Sequence, residues 1–343
     1  MITVKDIANK LGVSPSTVTR ALANSSRISL KTKKLVQRTA AEMGYVPNAA
    51  AKTMRGEENS LIGLLIPDIE NNFYAQIAKA FSEVCNSHDF QLTLAVSDDN
   101  PNIEERHIRQ LVAARCAGIA IVPTATLTQQ SVSLLASRNT AQLIRRNSAL
   151  NTDWYGINDT DALRSATNCL LDLNHRRIGL ICGEPALDSG NDRYQGYASA
   201  LQARNIPLDP TLIMRGPPRT RFAQAATNRL RALSHPPSAI VAAGAGLSEG
   251  MLNAVATWSK DDQHAFSLIG YSDSSAFSWW GGSGLTAIAL PIHQIAADLC
   301  GKLIQLARDK TSRLAESEDY LYDSHLILRG SVRPYKDISG SLP

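Results

Sequence analysis

The sequence predicts an α/β protein in which a small three-helix unit precedes two lobes built on doubly wound parallel sheets. Three helical patterns occupy the first part of the chain, up to Gly44. From Leu61 onward, short β-branched apolar runs such as LIGLLIP, FQLTLAV and RRIGLICG alternate with amphipathic stretches, which is typical of βαβ units. Nine or more such runs are more strands than a single sheet usually contains, so we expect two lobes, with the break near Trp154 to Asp161.

The amino-terminal helical patterns carry their own start and stop signals. They extend from Val4 to Leu11, from Pro15 to Ala23 and from Leu30 to Met43. Ser14 and Ser29 are predicted N-caps, and Gly12 and Gly44 are predicted C-terminal stops. Apolar residues recur at helical spacing and are expected to form one small core, namely Val4, Ile7, Ala8, Leu11, Val18, Leu22, Leu35 and Val36.

The stretch GVSPSTVTRALA, from Gly12 to Ala23, places a second helix behind a tight glycine turn. A first helix, such a turn and a second helix with small polar side chains form the helix-turn-helix pattern, whose second helix enters the major groove of DNA. Ser16 and Thr17 lie in the first turn of that helix, and Arg20 reaches guanine or a phosphate from the next turn. An ordinary helical hairpin with a glycine turn shows the same local pattern.

The charge is distributed unevenly along the chain. Residues 1–56 contain ten lysines and arginines and two acidic residues, a net charge of +8, although the whole chain carries only +4. The remainder is therefore mildly acidic. A basic end on an acidic body is expected of a protein that contacts a polyanion through that end alone, and a solvated lysine-rich surface is the alternative.

Other features argue against several classes of protein. The five cysteines lie far apart and the seven histidines are scattered, so we expect no disulfide framework, metal centre or cofactor. No motif of a nucleophilic or phosphate-binding enzyme is present, so we do not expect an enzyme. The sequence contains neither a run of about 18 apolar residues nor an apolar leader, and we expect a cytoplasmic protein without a membrane partner.

Motifs along almost the whole chain resemble those of the lactose/galactose repressor (LacI/GalR) family of bacterial transcription regulators. The resemblance begins with TVKDIANKLGVSPSTVTRALA and continues through LIGLLIPDIENNFYAQIAKAF, LNHRRIGLICG, RYQGYASAL and SLIGYSD to LILRGS. It implies a helix-turn-helix DNA-binding domain at 1–46, a hinge at 47–59 and an effector-binding core at 60–343 similar to periplasmic sugar-binding proteins. Lobe 1 of the core is expected at about 60–158 and 291–320, and lobe 2 at about 159–290 and 321–343, with three crossovers between them.

The resemblance also implies which residues contact DNA. These positions are Thr3, Ser14, Pro15, Ser16, Thr17, Arg20, Ser29, Thr32, Tyr45, Asn48, Ala51 and Met54. Pro15 offers a base only an apolar contact, for example with a thymine methyl group, so base preference should depend on Ser16 and Arg20. Met54 aligns with a leucine that opens a central base step from the minor groove, and the alternative is an ordinary apolar linker residue.

A second set of residues matches positions that contact a small effector between the lobes. These residues are Asp68, Phe73, Tyr74, Arg146, Asp159, Arg193, Gly244, Asp273 and Trp279. The chain departs from the family where Ala243, Gly244 and Ala245 replace the common Ala-Asn-Asp and where Leu290 replaces a common glutamine. Because hydroxyl-binding side chains are missing, a sugar phosphate or sugar acid competes with a plain sugar as the effector, followed by a flatter or more apolar metabolite.

Together these features predict a homodimeric repressor that binds double-stranded, pseudo-palindromic operator DNA. One helix-turn-helix domain reads one half-site, so a dimer with two-fold symmetry is needed to read both half-sites of the operator. The carboxyl-terminal VRPYKDISGSLP contains no leucine heptad, so a tail-mediated tetramer is not expected. Four alternatives remain open at this point, which are an effector that promotes DNA binding, a non-sugar effector, a metabolite-binding module that does not bind DNA, and an enzyme that uses the cleft between the lobes.

Overall fold

A computed structural model of the protein describes residues 2–45, 60–309 and 317–335. The chain divides into two units, one formed by Met1–Asn59 and one by Ser60–Pro343. The predicted hinge, 47–59, lies outside the described residues. None of the helices in the described ranges combines the length and the apolar character that a bilayer-spanning segment needs.

The first unit, hereafter the head, consists of the three helices that the sequence predicts. They are α1 (Val4–Leu11), α2 (Pro15–Leu22) and α3 (Leu30–Glu42). The Ser14 side chain accepts a hydrogen bond from the Thr17 backbone, and Ser29 caps α3 in the same way. Gly12 adopts φ +65° and Gly44 adopts φ +66°, the left-handed conformation of a helix stop. The predicted caps and stops are therefore confirmed.

The head core is small and is assembled from all three helices. Its buried members are Ile7, Ala8, Val18, Ala21, Val36 and Ala40. The prediction was wrong for Leu35, which is 41% exposed. Consecutive residues of a helix point about 100° apart, so the turn of α3 that buries Val36 directs its neighbour toward solvent.

The second unit contains two six-stranded sheets, whose strands alternate with helices along the chain. Its strands are β1 (Leu61–Ile66), β2 (Gln91–Val96), β3 (Gly118–Ile121), β4 (Thr140–Leu143), β5 (Asp153–Ile157), β6 (Ile178–Gly183), β7 (Ile213–Gly216), β8 (Ala239–Ala243), β9 (Ser267–Tyr271), β10 (Thr286–Ala289), β11 (Asp319–Tyr322) and β12 (His325–Ile327). Its helices are α4 (Asn72–Ser87), α5 (Pro101–Ala113), α6 (Gln129–Ala136), α7 (Asp159–Asp172), α8 (Asp188–Ala203), α9 (Thr220–Arg231), α10 (Ala245–Val255), α11 (Lys260–Ala265), α12 (Ser275–Trp279) and α13 (Ile292–Arg308). Short 3-10 turns lie at Pro210–Leu212 and Trp280–Gly282.

Each sheet forms one lobe. The strand order is β11-β5-β4-β3-β1-β2 in lobe 1 and β12-β10-β9-β8-β6-β7 in lobe 2. The strands pair in parallel, except that β12 runs antiparallel to β10. Central strands such as β3, β6 and β8 are buried along their whole length, because helices cover both faces of a parallel sheet.

The chain passes between the two sheets three times. The first passage follows Ile157 at the end of β5, within the expected break near Trp154 to Asp161 and beside the expected limit of lobe 1 at about 158, whereas a later boundary differs. The expected boundary at 320/321 cuts through β11, which continues to Tyr322 and pairs with β5 along its length. Both strands lie toward one edge of their sheet, and their mixed polar and aromatic residues lack the apolar run by which the other strands were recognised.

Candidate functional site

In the head, one face of α2 is exposed. Pro15, Ser16 and Arg20 are exposed and Thr17 is half-buried, whereas Val18 is fully buried against the other two helices. The helical period thus separates a packing face from a polar face within eight residues. The four side chains that the sequence predicts as base-contacting therefore lie along one accessible surface.

The hydroxyl groups at the start of α2 are held in place before any ligand arrives. Ser14 Oγ lies 2.7 Å from Ser16 Oγ and 2.9 Å from Thr17 Oγ1, while it also caps the helix. Arg20 is different, because among residues 2–45 no hydrogen bond or ion pair engages its guanidinium. The first turn is consequently ordered by its cap, and Arg20 keeps its donors free for a polyanion.

The remaining predicted DNA contacts have structural roles or lie beyond the described residues. Thr3 forms a capping box with Asp6 at α1. Thr32 Oγ1 lies 2.9 Å from Ser29 Oγ at the start of α3, and Tyr45 packs partly against the head core. Asn48, Ala51 and Met54 lie outside the described residues.

The described head has a strongly basic surface. It contains eight lysines and arginines and two acidic residues, and seven of the eight basic residues are exposed. The ion pair found in residues 2–45 joins Arg38 Nε to Glu42 Oε1 at 3.5 Å. Since the other basic side chains have no acidic partner there, their charge is available to an external polyanion.

A cavity that opens to solvent lies between the two lobes, and its envelope, with the open solvent included, is about 760 Å³. It is formed by the loops that follow the carboxyl ends of the strands of both sheets, where ligands bind in doubly wound folds. Its walls are formed by Pro67, Asp68, Asn71, Phe73, Tyr74, Asp99, Ile144, Arg145, Gly183, Leu187, Ser189, Gly190, Arg193, Pro218, Arg219, Gly244, Ala245, Gly246, Tyr271 and Leu290. The cavity thus contains Asp68, Phe73, Tyr74, Arg193 and Gly244 of the predicted set.

Arg193 is the centre of a buried cluster on the lobe 2 wall. Its Nη1 donates to the Ala243 carbonyl and its Nη2 to the Tyr271 hydroxyl, both at 3.1 Å, and its Nε lies 3.0 Å from Asp159 Oδ1. The Tyr271 hydroxyl in turn donates to Asp159. Burial alone would lower the pKa of Arg193, but the nearby Asp159 carboxylate and the Tyr271 hydroxyl more than offset this effect and raise it. Asp159 therefore lies behind Arg193 as its counter-charge and does not line the cavity.

A second buried arginine, Arg145, lies on the lobe 1 wall. It is 4% exposed, and both of its terminal nitrogens bond the carboxylate of Asp99, 46 positions earlier in the chain. The sequence prediction named Arg146 here. Ile144 adopts φ +62°, a rare conformation for a β-branched residue, and this turn directs Arg145 inward and Arg146 outward.

Aromatic side chains cover the lobe 1 side of the cavity. The rings of Phe73 and Tyr74 meet edge to face, with their centroids 5.1 Å apart, at the start of α4. Burial raises the pKa of Tyr74, so its phenol stays neutral and acts as a hydrogen-bonding group beside the two arginines. Asn71 caps α4, and Asp68 accepts a hydrogen bond from the Glu70 backbone at 2.8 Å.

Three predicted residues lie outside the cavity. Arg146 forms an ion pair with Asp319, and its side chain is 47% exposed. Asp273 binds both terminal nitrogens of Arg329, at 2.7 and 2.9 Å, because Ser272 adopts φ +65° and turns the chain away from the cavity. Trp279 is 70% exposed. The structure therefore does not bring these three positions into the cavity.

Among the lining residues that the sequence did not predict as effector contacts, four carry ionisable side chains, namely Asp99, Arg145, Arg219 and Tyr271. Each ends a strand or lies within three residues after one, so the position of the strand ends was a usable signal. Which of two adjacent polar residues points inward depends on local backbone angles, and the sequence does not show them. Within the described ranges, no group of His, Cys, Asp and Glu side chains is arranged to hold a metal ion.

Two hydrogen bonds join the lobes at the rim of the cavity. Arg219 Nη2 donates to the Asp98 carbonyl at 2.7 Å, and the Arg146 backbone donates to Asp188 Oδ2 at 2.7 Å. Asp98 and Asp99 adopt φ +54° and +55°, the left-handed conformation that aspartate enters more readily than most residues with a side chain. Side chains of lobe 2 thus form hydrogen bonds with the backbone of lobe 1 beside the cavity.

Comparison with known proteins identifies the family. Residues 3–48 match the bacterial regulatory proteins of the lacI family, and residues 59–307 match the periplasmic binding proteins and sugar binding domain of the LacI family. The chain is 26% identical over 344 residues to the transcriptional repressor PurR of Pasteurella multocida, covering 97% of this chain and 99% of PurR. It is 28% identical over 340 residues to the regulator DegA of Bacillus subtilis, with coverages of 97% and 98%.

The solved structures agree on the fold. The Lac repressor dimer bound to operator and the anti-inducer ONPF superimposes with a TM-score of 0.81 at 20% identity, covering 97% of this chain and 99% of that chain. Because the sugar-binding domain match alone spans more than half of the sequence, the assignment does not depend on a single motif. The chain therefore belongs to the LacI family, as a helix-turn-helix transcriptional regulator with an effector-binding core.

Proposed function

We propose that this regulator represses transcription by inserting α2 into the major groove of an operator, and that a sugar or sugar derivative in the inter-lobe cavity sets its affinity. The proposal that α2 enters the major groove rests on the exposed polar face of this helix, where the Arg20 guanidinium forms no ion pair or hydrogen bond within the described head. Arginine is the side chain that most often recognises guanine in the major groove.

Each exposed residue of α2 has a distinct role in this proposal. Arg20 reads a guanine, and Ser16 with Thr17 offers hydroxyl groups that the Ser14 cap has already oriented. Pro15 contributes an apolar contact. The unpaired lysines and arginines around this face bind phosphates and orient the head without reading sequence.

The protein acts as a homodimer on a pseudo-palindrome in the bacterial cytoplasm, where its chromosomal target lies. Two-fold symmetry matches two copies of α2 to two half-sites one helical turn or more apart. Asn48, Ala51 and Met54 remain predicted contacts of the hinge, and Met54 remains the predicted minor-groove wedge.

The cavity suits a small polyhydroxylated ligand. Arg193 and Asp68 provide donors and an acceptor on opposite walls, while Phe73 and Tyr74 cover an apolar ring face. The match to a sugar-binding domain supports the same class of ligand. Of the predicted effector contacts, Asp68, Phe73, Tyr74, Arg193 and Gly244 are retained in this proposal.

The cross-lobe hydrogen bonds offer a route by which the ligand acts. A ligand that changes the contacts of Arg219 or Asp188 alters the relative free energies of the lobe arrangements, which is all that coupling requires. Coupling is reciprocal, so an effector that weakens operator binding binds the DNA complex less tightly by the same factor.

Fluorescence anisotropy with the full-length protein and labelled genomic fragments tests the proposal. We expect one or more promoter fragments to bind at least about 1,000-fold more tightly than random DNA, with log K falling about 0.9 for each neutralised phosphate per unit of log salt. Equal affinity for all fragments at every salt concentration would refute operator recognition. The same assay with candidate sugars shows whether an effector releases DNA or promotes binding.

A further inference from the structure

The charges on the two walls of the cavity differ, and we infer from this that the effector carries an anionic group held by the lobe 2 wall, with Arg219 as its counter-charge. The shared chemistry is a carboxylate or a phosphate monoester on a small hydroxylated molecule. This inference rests on the proposed function, since it concerns the ligand of the same cavity.

Three arginines line the cavity, and two of them already have counter-charges. Arg145 is bound by Asp99, and Arg193 lies against Asp159. Arg219 differs, because its contact in the described structure is the neutral backbone carbonyl of Asp98. One cationic side chain on the wall therefore lacks an anion.

The imbalance belongs to lobe 2. Its lining residues include Arg193 and Arg219 and no aspartate or glutamate, whereas lobe 1 contributes Asp68 and Asp99 with Arg145. Asp68 has no cationic partner in the parts of the chain that the structure describes. A ligand with an acid at one end and hydroxyl donors at the other matches this polarity when its acid faces lobe 2.

Arg193 also retains unused donors. Its Nε faces Asp159, 3.0 Å away behind the guanidinium, but Nη1 and Nη2 carry two N–H groups each, and each donates one hydrogen bond within the described structure. A guanidinium has five N–H donors, and buried donors without acceptors are costly. An anion supplies several lone pairs at once.

Gly244 keeps this guanidinium accessible. A Cβ atom at this position would lie 3.6 Å from Arg193 Nη1, so a longer side chain would cover the guanidinium. The absence of a side chain at Gly244 thus leaves the Nη1 end of Arg193 open to a ligand in the cavity.

The backbone of the same wall adds positive potential. Helices α9 and α10 begin beside the cavity, directly after Arg219 and Gly244, and neither has a side-chain cap or an acidic residue in its first turn. In lobe 1, by contrast, Asn71 caps α4 and Asn100 caps α5. Uncapped amino termini of helices present free N–H groups and favour negative charge, which reinforces the two arginines.

The test compares matched acidic and neutral ligands on the full-length protein at constant ionic strength. Calorimetric titrations use D-glucose, D-gluconate, glucose 6-phosphate and inorganic phosphate against the wild type, Arg219→Gln and Arg221→Gln. Arg221 is an exposed arginine two positions after Arg219, in the first turn of α9, and it does not line the cavity. Its variant has the same net charge as Arg219→Gln. Gluconate and glucose 6-phosphate distinguish a carboxylate from a phosphate.

We expect at least one acidic sugar to bind the wild type at least tenfold more tightly than glucose, and inorganic phosphate to compete with it. Arg219→Gln should remove this preference and Arg221→Gln should preserve it. Arg219→Lys, which retains the charge, should restore part of the preference and exclude misfolding as the cause. Equal binding of glucose and its acids, the absence of any anion effect, or an unchanged preference in Arg219→Gln would each overturn the inference. Operator recognition would be unaffected by those results, because the anisotropy assay tests it separately.

Discussion

The head and the inter-lobe cavity hold their functional side chains in opposite ways. In the head, Arg20 is exposed and forms no ion pair or side-chain hydrogen bond within residues 2–45. Its helix is capped locally, because the Ser14 side chain accepts a hydrogen bond from the backbone of Thr17, three residues later. In the cavity, Arg145 and Arg193 are buried, and their partners come from distant parts of the chain. Function in the head is thus separable from stability, whereas in the cavity the two are linked.

This difference follows from the dielectric environment. A cation at the surface of the head is solvated in either state, so its removal costs the fold little. A buried cation requires its carboxylate, and removal of one partner leaves an uncompensated charge. The comparison can be tested by substitutions in both regions.

The largest effect is expected for Asp159→Ala. The change leaves Arg193 buried without its counter-charge and removes the acceptor of the Tyr271 hydroxyl, which should lower the free energy of unfolding of the core by about 3–5 kcal/mol. Urea denaturation followed by tryptophan fluorescence measures it. The double variant Asp159→Ala/Arg193→Met should recover much of the loss. If the double variant is as unstable as the single one, the unpaired charge is not the cause.

The next effect is expected for Ile7→Ala in the head. Ile7 is fully buried in a core of six residues, and its truncation should cost about 2–5 kcal/mol, enough to unfold so small a unit. Operator affinity should fall while the thermal transition of the core stays unchanged. Leu35→Ala is the matched control, since Leu35 is exposed and its truncation should change head stability by less than about 0.5 kcal/mol. A destabilised Leu35→Ala would show that this side chain packs in solution.

Arg20→Ala should alter binding without altering stability. Loss of a guanine contact should reduce discrimination at one or two base positions by about 1–3 kcal/mol, measured by anisotropy on a set of single-base operator variants. The melting temperature of the head should remain that of the wild type. A uniform loss of affinity over all sequences would instead identify Arg20 as a phosphate contact.

The smallest effect is expected at the start of α1. Hydrogen bonds from the side chain and backbone of Thr3 lower the pKa of Asp6, so the carboxylate stabilises the head above the pKa of the unfolded chain. This contribution is lost as the pH falls through the lowered pKa of the folded state. Asp6→Asn should therefore be less stable than the wild type at neutral pH, and the difference should vanish in acid. A constant difference across the titration would exclude the carboxylate as its source.

Local sequence determined most of the head and the alternation of strands and helices in the core. Ser14, Ser29 and Gly12 act on residues within one helical turn, and apolar runs report burial on both faces of a strand, so each signal can be read without knowledge of distant contacts. The position of the cavity at the strand ends follows from the doubly wound topology. Strands β5 and β11 were missed because they lack such an apolar run.

Only the tertiary structure decided which side chains form the cavity. Arg145 and Arg146 are equivalent in sequence, and the left-handed turn at Ile144 together with the remote carboxylate of Asp99 selects the first. In the same way, Ser272 directs Asp273 toward Arg329 and away from the ligand. A buried charged side chain needs an oppositely charged or hydrogen-bonding partner, and local sequence does not show a partner that comes from another strand. The position of an exposed charged side chain such as Arg20 depends on its own helix alone.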